Sequence, residues 1–370
     1  MRTRLVATLV AATLSSPAWA LYQQTNLVSD LPGEAAHQDP NLINPWGVSY
    51  APSSPFWVSD NMTGVATLYG ADGTAVPLVV TVPPPTGAQP PSAPTGQVYN
   101  PTSGFVLPGG SPSLFLFATE DGTISGWNGA GGTNATLEVD NSAAGAVYKG
   151  LALAGTDLYA TNFNAGRIDV FNSSFAPVTL AGGFTDPNLP AGYAPFNIRN
   201  IGGLLYVTYA LQDASKANDV PGAGHGYLDV FNSSGILQKR LASGGSLNSP
   251  WGLALAPANF GDFSNALLVG NFGDGTIHAY DPTTGALLGT LQDGQGHTIQ
   301  NIGLWSLTFG GGSMENGATN TLFFTAGIPG PDAKEDHGLF GSLTSVPEPS
   351  TALLLTVGVV GLAAIRRRRA

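Results

Sequence analysis

Six oxygen-bearing side chains stand in short turns of this 370-residue chain: Asp60 and Asn61 in DNMT, Glu120 in TED, Asn162 in NFNA, Asn271 and Asp274 in NFGD. Carboxylates and amides gathered around one opening form a donor set for a hard cation such as Ca2+, which takes only oxygen ligands. The same residue types also serve plain turn chemistry, because Asp and Asn side chains bond nearby backbone N–H groups and tolerate positive φ. Four of the five histidines, His37, His225, His297 and His337, fall in loops of the same kind, where imidazole could ligate a metal or move a proton; His278 lies in a strand pattern instead. Trp46, Trp251 and Trp305 occupy equivalent places in WGVS, WGLA and LWSL, where they either pack neighbouring repeats or offer a stacking surface to sugar rings. HExxH, GxSxG and P-loop patterns are missing from the sequence. The chemistry therefore depends on whether the fold brings these turns to one place.

The elements that would do so repeat. DVFNSS occurs at Asp169–Ser174 and again at Asp229–Ser234, inside GRIDVFNSS and GYLDVFNSS. The same frame, a glycine followed by strand residues and an aromatic, recurs as GVATLY, GTISGW and GTIHAY, and more weakly as GLFGSL; its six glycines are Gly64, Gly122, Gly166, Gly226, Gly275 and Gly338. Each frame follows an alternating apolar run such as FWVSD, LFLFAT, DLYATN, LLYVTY, ALLVGN or LFFTA, and period-two alternation ending in turn residues reads as a β-strand. Before these runs come WGVSYAP, SGFVLP, KGLALA, FNIRNI, WGLALAP and LWSLTFG as first strands. Four strands per repeat and six repeats predict an all-β chain folded as a six-bladed β-propeller. The sixth repeat ends after its third strand, whereas YQQTNLVSD near the N-terminus has no repeat of its own. That strand is expected to close the ring as the outer strand of blade six and to pair an open sheet edge.

On this topology the turns before the frame glycines share one rim. Two are long, Ala210–His225 and Gly327–His337, and long loops in a compact fold often carry function. Val82–Pro101 is Pro-rich and reads as an extended, stiff connection between blades one and two.

The ends read as addresses. MRTR, the apolar run LVATLVAATL and SSPAWA form the charged, apolar and small-residue regions of a Sec-type signal peptide over residues 1–20. Residues 21–345 are expected to form the propeller, and residues 346–370 a tail made of VPEPS, an apolar stretch to Ile365 and Arg366–Arg369. That stretch is just long enough for a short transmembrane helix with its arginines on the cytoplasmic side. Between the ends lie seven Lys and Arg against 23 Asp and Glu, a formal charge of about −16. Such a body is a poor partner for nucleic acid, whose phosphates require basic residues. The chain has no cysteine, so its exported domain is expected to rely on a large apolar core rather than on disulfides.

The tail resembles the PEP-CTERM sorting signal of exported proteins from Gram-negative bacteria that make extracellular polysaccharide. The matching residues are Pro347, Glu348 and Pro349, the apolar helix after them, and the basic end. This resemblance implies processing by an exosortase and a membrane-anchored precursor that ends at the cell surface or in the extracellular matrix. The body is similar to a family of exported propeller-like proteins over NLVSDLPGEAAHQDPNLINPWGVSYAPSSPFWVSDNMTGVATLYGADG and DPNLPAGYAPFNIRNIGGLLYVTYA. That similarity implies a fold and an export route but no activity. More loosely, the blades resemble those of NHL-repeat and lactonase-type propellers; the latter hold a metal with Glu, Asn and Asp at a similar rim.

Two functions are consistent with these features. One is a non-enzymatic binding module whose partners are extracellular polysaccharide or surface proteins. The other is a metal-dependent hydrolase of lactonase type, which needs a convergent metal shell with an open position and a nearby base.

Overall fold

A computed structural model describes residues 21–332 and 334–346. The signal-peptide region, Pro347, Glu348, Pro349, the apolar stretch and the basic tail lie outside the described residues. Within them, the chain is a six-bladed β-propeller. Blade 1 runs from the inner strand Pro45–Ser49 outward through Phe56–Asp60 and Val65–Tyr69 to Val80–Thr81. Blades 2 to 5 repeat this order, starting from Pro94–Tyr99, Tyr148–Ala154, Tyr193–Ile201 and Pro250–Leu255. Blade 6 is built from Leu304–Phe309, Thr321–Ile328 and His337–Ser345, and its outer strand is the N-terminal Leu21–Ser29. Leu21–Ser29 runs antiparallel to His337–Ser345, from Tyr22 opposite Ser345 to Ser29 opposite Leu339. Each inner strand touches the next, and the sixth touches the first.

The strands form because alternate side chains have an apolar layer to enter on each face. Blades pack face to face, so the second and third strands are buried almost throughout, as in FWVSD and FLFAT. DVFNSS is the end of a third strand and its turn in blades 3 and 4. Asn172 Oδ1 accepts from the N–H groups of Ser174 and Ala176, and Asn232 Oδ1 accepts from those of Ser234 and Ile236. The turn needs a left-handed residue after NSS: the second copy uses Gly235 at φ 73°, and the first strains Phe175 to φ 59° and buries its ring.

One expected strand is elsewhere. SGFVLP does not form the inner strand of blade 2; PTGQVY, within the Pro-rich run, does. Phe105 of SGFVLP sits at φ 56° and packs into the core between blades 2 and 3. Pro94 is tolerated because it opens its strand, where a missing N–H costs no ladder bond. The stiff connection between blades one and two is therefore shorter than Val82–Pro101. The outer strand of blade 1 is also shorter than VPLVVTV and pairs only over Val80–Thr81.

Candidate functional site

The six inner strands share a two-residue signature facing the axis: Trp46-Gly47, Thr95-Gly96, Lys149-Gly150, Phe196-Asn197, Trp251-Gly252 and Trp305-Ser306. In four blades the second residue is glycine, because the next inner strand comes very close. A Cβ on Gly47 would lie 2.5 Å from Thr95 O, and one on Gly252 2.7 Å from Trp305 O. Side chains staple neighbouring blades across these contacts. Thr95 Oγ1 donates to Tyr148 O at 2.7 Å, Asn197 Nδ2 to Trp251 O at 2.7 Å, and Thr325 Oγ1 to Trp46 O at 2.6 Å.

The first residue of each pair fills the axis. Trp46 stacks on Trp305 with ring centroids 3.4 Å apart, Phe272 stacks on the same indole at 4.1 Å, and Trp251 meets both tryptophans edge-on. The three tryptophans are buried, and they pack against one another, against Phe272 and, at Trp46, against the ammonium of Lys149. This aromatic plug separates two cavities, one at each end of the axis.

Lys149 occupies the position that three other blades give to tryptophan. Its side chain is only 3% exposed, its ammonium lies 5.1 Å from the centroid of the Trp46 ring, and it is ion-paired with Glu120. Such a cation requires compensation where it sits. The compensation extends into a chain of hydrogen bonds across blades 6, 1, 2 and 3. Trp305 Nε1 donates to Asn44 Oδ1 at 2.9 Å, Asn44 Nδ2 to Asn61 Oδ1 at 3.5 Å, and Asn61 Nδ2 to Glu120 Oε2 at 3.0 Å. These residues line a cavity of 430 Å3 on the predicted rim, together with Asp219, Glu335 and Asp336. Asp219 and Glu335 come from the two long loops. Burial pushes both carboxyls above the usual carboxylate range, against the pull of Lys149; Asp219 and Glu120 push Glu335 further up.

The six oxygen-bearing residues divide. Asn61 and Glu120 line this mouth. Asp60 lies just behind it, fully buried, and accepts from Thr67 Oγ1 at 2.8 Å within its own blade; burial raises its pKa. Asn162 donates to Asp169 Oδ2 at 2.8 Å, and its Oδ1 takes the Val147 and Ala165 N–H groups. Asn271 donates to Ser246 O, and Asp274 accepts from Thr276 and Asn248. The last three thus hold turns and blade junctions together. The rim histidines also stay apart: His225 bonds Val220 O, His297 pairs with Asp293, His337 with Asp30, and His37 is exposed on a short outer strand. Among the described residues no three His, Asp or Glu side chains gather closely enough to hold a metal ion. Glu120, the carboxylate best placed for one, already has an ammonium and an amide on its oxygens.

Asn44, Lys149, Asp219 and Glu335 were not among the residues singled out from the sequence. Lys149 had a signal: KGLALA aligns with WGVSYAP and WGLALAP, so a charge stands in a core register. Asp219 and Glu335 had only the length of their loops.

Fold and sorting signal together define an exported, exosortase-sorted β-propeller. Residues 345–369 match the PEP-CTERM protein-sorting motif, which marks a membrane-anchored precursor processed at the cell surface. The chain belongs to the family of the "Uncharacterized protein R648" of Acanthamoeba polyphaga mimivirus. It is 35% identical to that protein over 327 residues, covering 86% of this chain and 78% of the relative. The "Uncharacterized protein L690" of the same virus is 36% identical over 275 residues, 71% of this chain and 72% of its own. Among solved structures, virginiamycin B lyase from Staphylococcus aureus superposes with a TM-score of 0.50 at 16% identity, covering 88% of this chain and 99% of its own. A streptogramin B lyase gives 0.53 at 13%, covering 90% and 100%. At such identities the likeness is one of fold, and fold does not carry activity with it.

Proposed function

We propose that the protein is a surface or matrix binding module that holds a polar, amine-bearing ligand, such as an amino-sugar unit of extracellular polysaccharide, at the Lys149 mouth of its axis. The observation that carries this reading is the charge balance of that cavity. Glu120, Asp219, Glu335 and Asp336 face Lys149 and Lys334, and Lys149 is already committed to Glu120. Asp219 and Glu335 are thus left with raised pKa values and little counter-charge. A ligand ammonium between them would stabilise their ionised forms, while Asn44 and Asn61 offer amide groups to hydroxyls. A lactonase-type hydrolase is less well supported, since its metal shell would have to take Glu120 away from Lys149. Exosortase acts on the tail, and the propeller is what processing leaves outside.

Calorimetric titration of the full-length protein with oligoglucosamine tests the reading, with oligo-N-acetylglucosamine as the neutral control. The amine form should bind with release of protons, and Glu335→Gln should weaken binding about tenfold or more, the scale of one charge-assisted hydrogen bond. Equal binding of both sugars, or an unchanged affinity in Glu335→Gln, would refute it.

A further inference from the structure

The axis has a second mouth, beyond the tryptophan plug, where the inner strands end. A cavity of 350 Å3 opens there, lined by residues from the inner strands of all six blades, among them Ser49, Tyr50, Gln97, Tyr99, Arg199 and Thr308. Its charge is opposite to that of the first mouth. Arg199 is the sole charged residue of the lining, with no Asp or Glu beside it, in a body where acidic residues outnumber basic ones by 23 to seven. The guanidinium is held in place by neutral partners alone: Nη1 donates to Leu307 O at 2.8 Å and Nη2 to Thr308 Oγ1 at 3.1 Å, both from blade 6. The other arginines of the described residues, Arg167 and Arg240, are each paired with aspartate.

A lone arginine in this setting needs a reason. Burial pushes its pKa below the ordinary value, so its charge is poorly solvated where it sits. Its two hydrogen bonds fix the plane of the group. A guanidinium has five N–H donors, so roughly three remain for another acceptor. One further polar atom of the same wall, the hydroxyl of Ser49, has no hydrogen-bond partner among the described residues. Tyr50 and Tyr99 add half-buried aromatic surface, and Tyr50 is kept in place by donating to Phe309 O at 2.8 Å.

We propose that this second mouth is a binding site for a small organic carboxylate, with Arg199 as its anion-binding residue and the tyrosines as walls for the ligand's body. A carboxylate suits it better than phosphate. It matches the planar fork with two parallel bonds and carries one charge against one guanidinium, whereas a phosphate dianion would be left half neutralised in an acidic protein. The two mouths would then select ligands of opposite charge. This site does not depend on what binds beside Lys149.

Phenylglyoxal modification of the full-length protein, read by peptide mass mapping, tests the proposal without a mutation. Sodium glucuronate and sodium benzoate are the carboxylate probes, glucose and benzamide their neutral counterparts, and inorganic phosphate the competing anion. At least one carboxylate should slow modification of Arg199 and leave Arg167, 65% exposed, reacting at its usual rate. The neutral compounds should do nothing. Arg199→Met should weaken carboxylate binding about tenfold or more, and Arg199→Lys should retain part of it. If Arg199 reacts at the same rate with and without both carboxylates, or Arg199→Met binds as tightly as the parent, the site does not exist. Protection by phosphate equal to that by carboxylate would overturn the ligand class. The protection measurement stands even if Arg199→Met fails to fold.

Discussion

Tyr22 offers a direct test of how the ring is held closed. It belongs to the N-terminal strand, is 1% exposed, and reaches across to blade 5, where its hydroxyl donates to Phe260 O at 2.9 Å. Its ring lies 4.7 Å from that of Phe260 and 6.2 Å from that of Phe263. The residue therefore ties the closing strand to the neighbouring blade through an apolar contact and one hydrogen bond. Tyr22→Ala loses both and leaves a cavity, at a cost of about 3–5 kcal/mol, as for other large aromatic truncations. Tyr22→Phe keeps the ring and loses the bond alone, about 1 kcal/mol. For a domain of this size about 2–4 °C follows from each kcal/mol, so Tyr22→Ala should lower the Tm on the order of 10 °C and Tyr22→Phe by a few degrees. Urea denaturation followed by tryptophan fluorescence gives the free energies, and calorimetry the Tm. A loss below about 1 kcal/mol for Tyr22→Ala would show that the N-terminal strand does not carry ring closure.

The close approach of the inner strands predicts that Gly150→Ala is destabilising, because its Cβ would lie 2.7 Å from Asn197 Cα and 3.0 Å from Ile198 N. Backbone atoms cannot rotate away, so blades 3 and 4 must spread, costing about 1–3 kcal/mol in chemical denaturation; a change below about 0.5 kcal/mol would refute the tight-axis account. Asp229 predicts a pH dependence: burial raises its carboxyl to about 7, against the pull of Arg240. The folded state holds a proton that the unfolded chain releases near 3.9, so this contribution is complete below about pH 4 and is lost as pH rises through about 7. Urea denaturation from pH 4.5 to 7.5 should show stability falling with pH in the parent and a flatter profile in Asp229→Asn, whose amide oxygen can still accept from Arg240; parallel profiles would sink the assignment.

Blade number and ring closure were legible because their signals are local. Period-two alternation marks each strand within about five residues, and the frame glycines mark the same turn in each repeat. In four repeats that glycine has positive φ, at Gly64, Gly122, Gly166 and Gly275, as a tight turn requires. Gly226 and Gly338 follow the long loops and need no positive φ; a Cβ there would meet Pro250 Cδ at 2.6 Å and Pro45 Cδ at 2.7 Å. The orphan strand and the unfinished sixth repeat were likewise visible as a surplus and a deficit. The inner strand of blade 2 was missed because prolines mask a strand pattern, whereas in the ring only Pro94, at the strand's entry, shares it.

Residue types and repeat positions, read along the chain, determined that the protein is a six-fold ring with an acidic rim and a tail for sorting. They could not determine which rim residues meet. Asn61, Glu120 and Lys149 come from three blades and touch because the ring closes; Asn162, Asn271 and Asp274 stand in equivalent turns and instead bond within their own blade junctions. The difference lies in which acceptor each side chain reaches first. An amide near a turn is satisfied by local N–H and carbonyl groups when these are free. It faces the axis only when a neighbouring blade supplies a better partner, as Glu120 does for Asn61. That partner is set by packing between distant segments, which no spacing along the chain encodes. The opposite charges of the two mouths have the same origin: Lys149 and Arg199 both lie on inner strands, and the position of each along its strand relative to the tryptophan plug decides which end of the axis it serves.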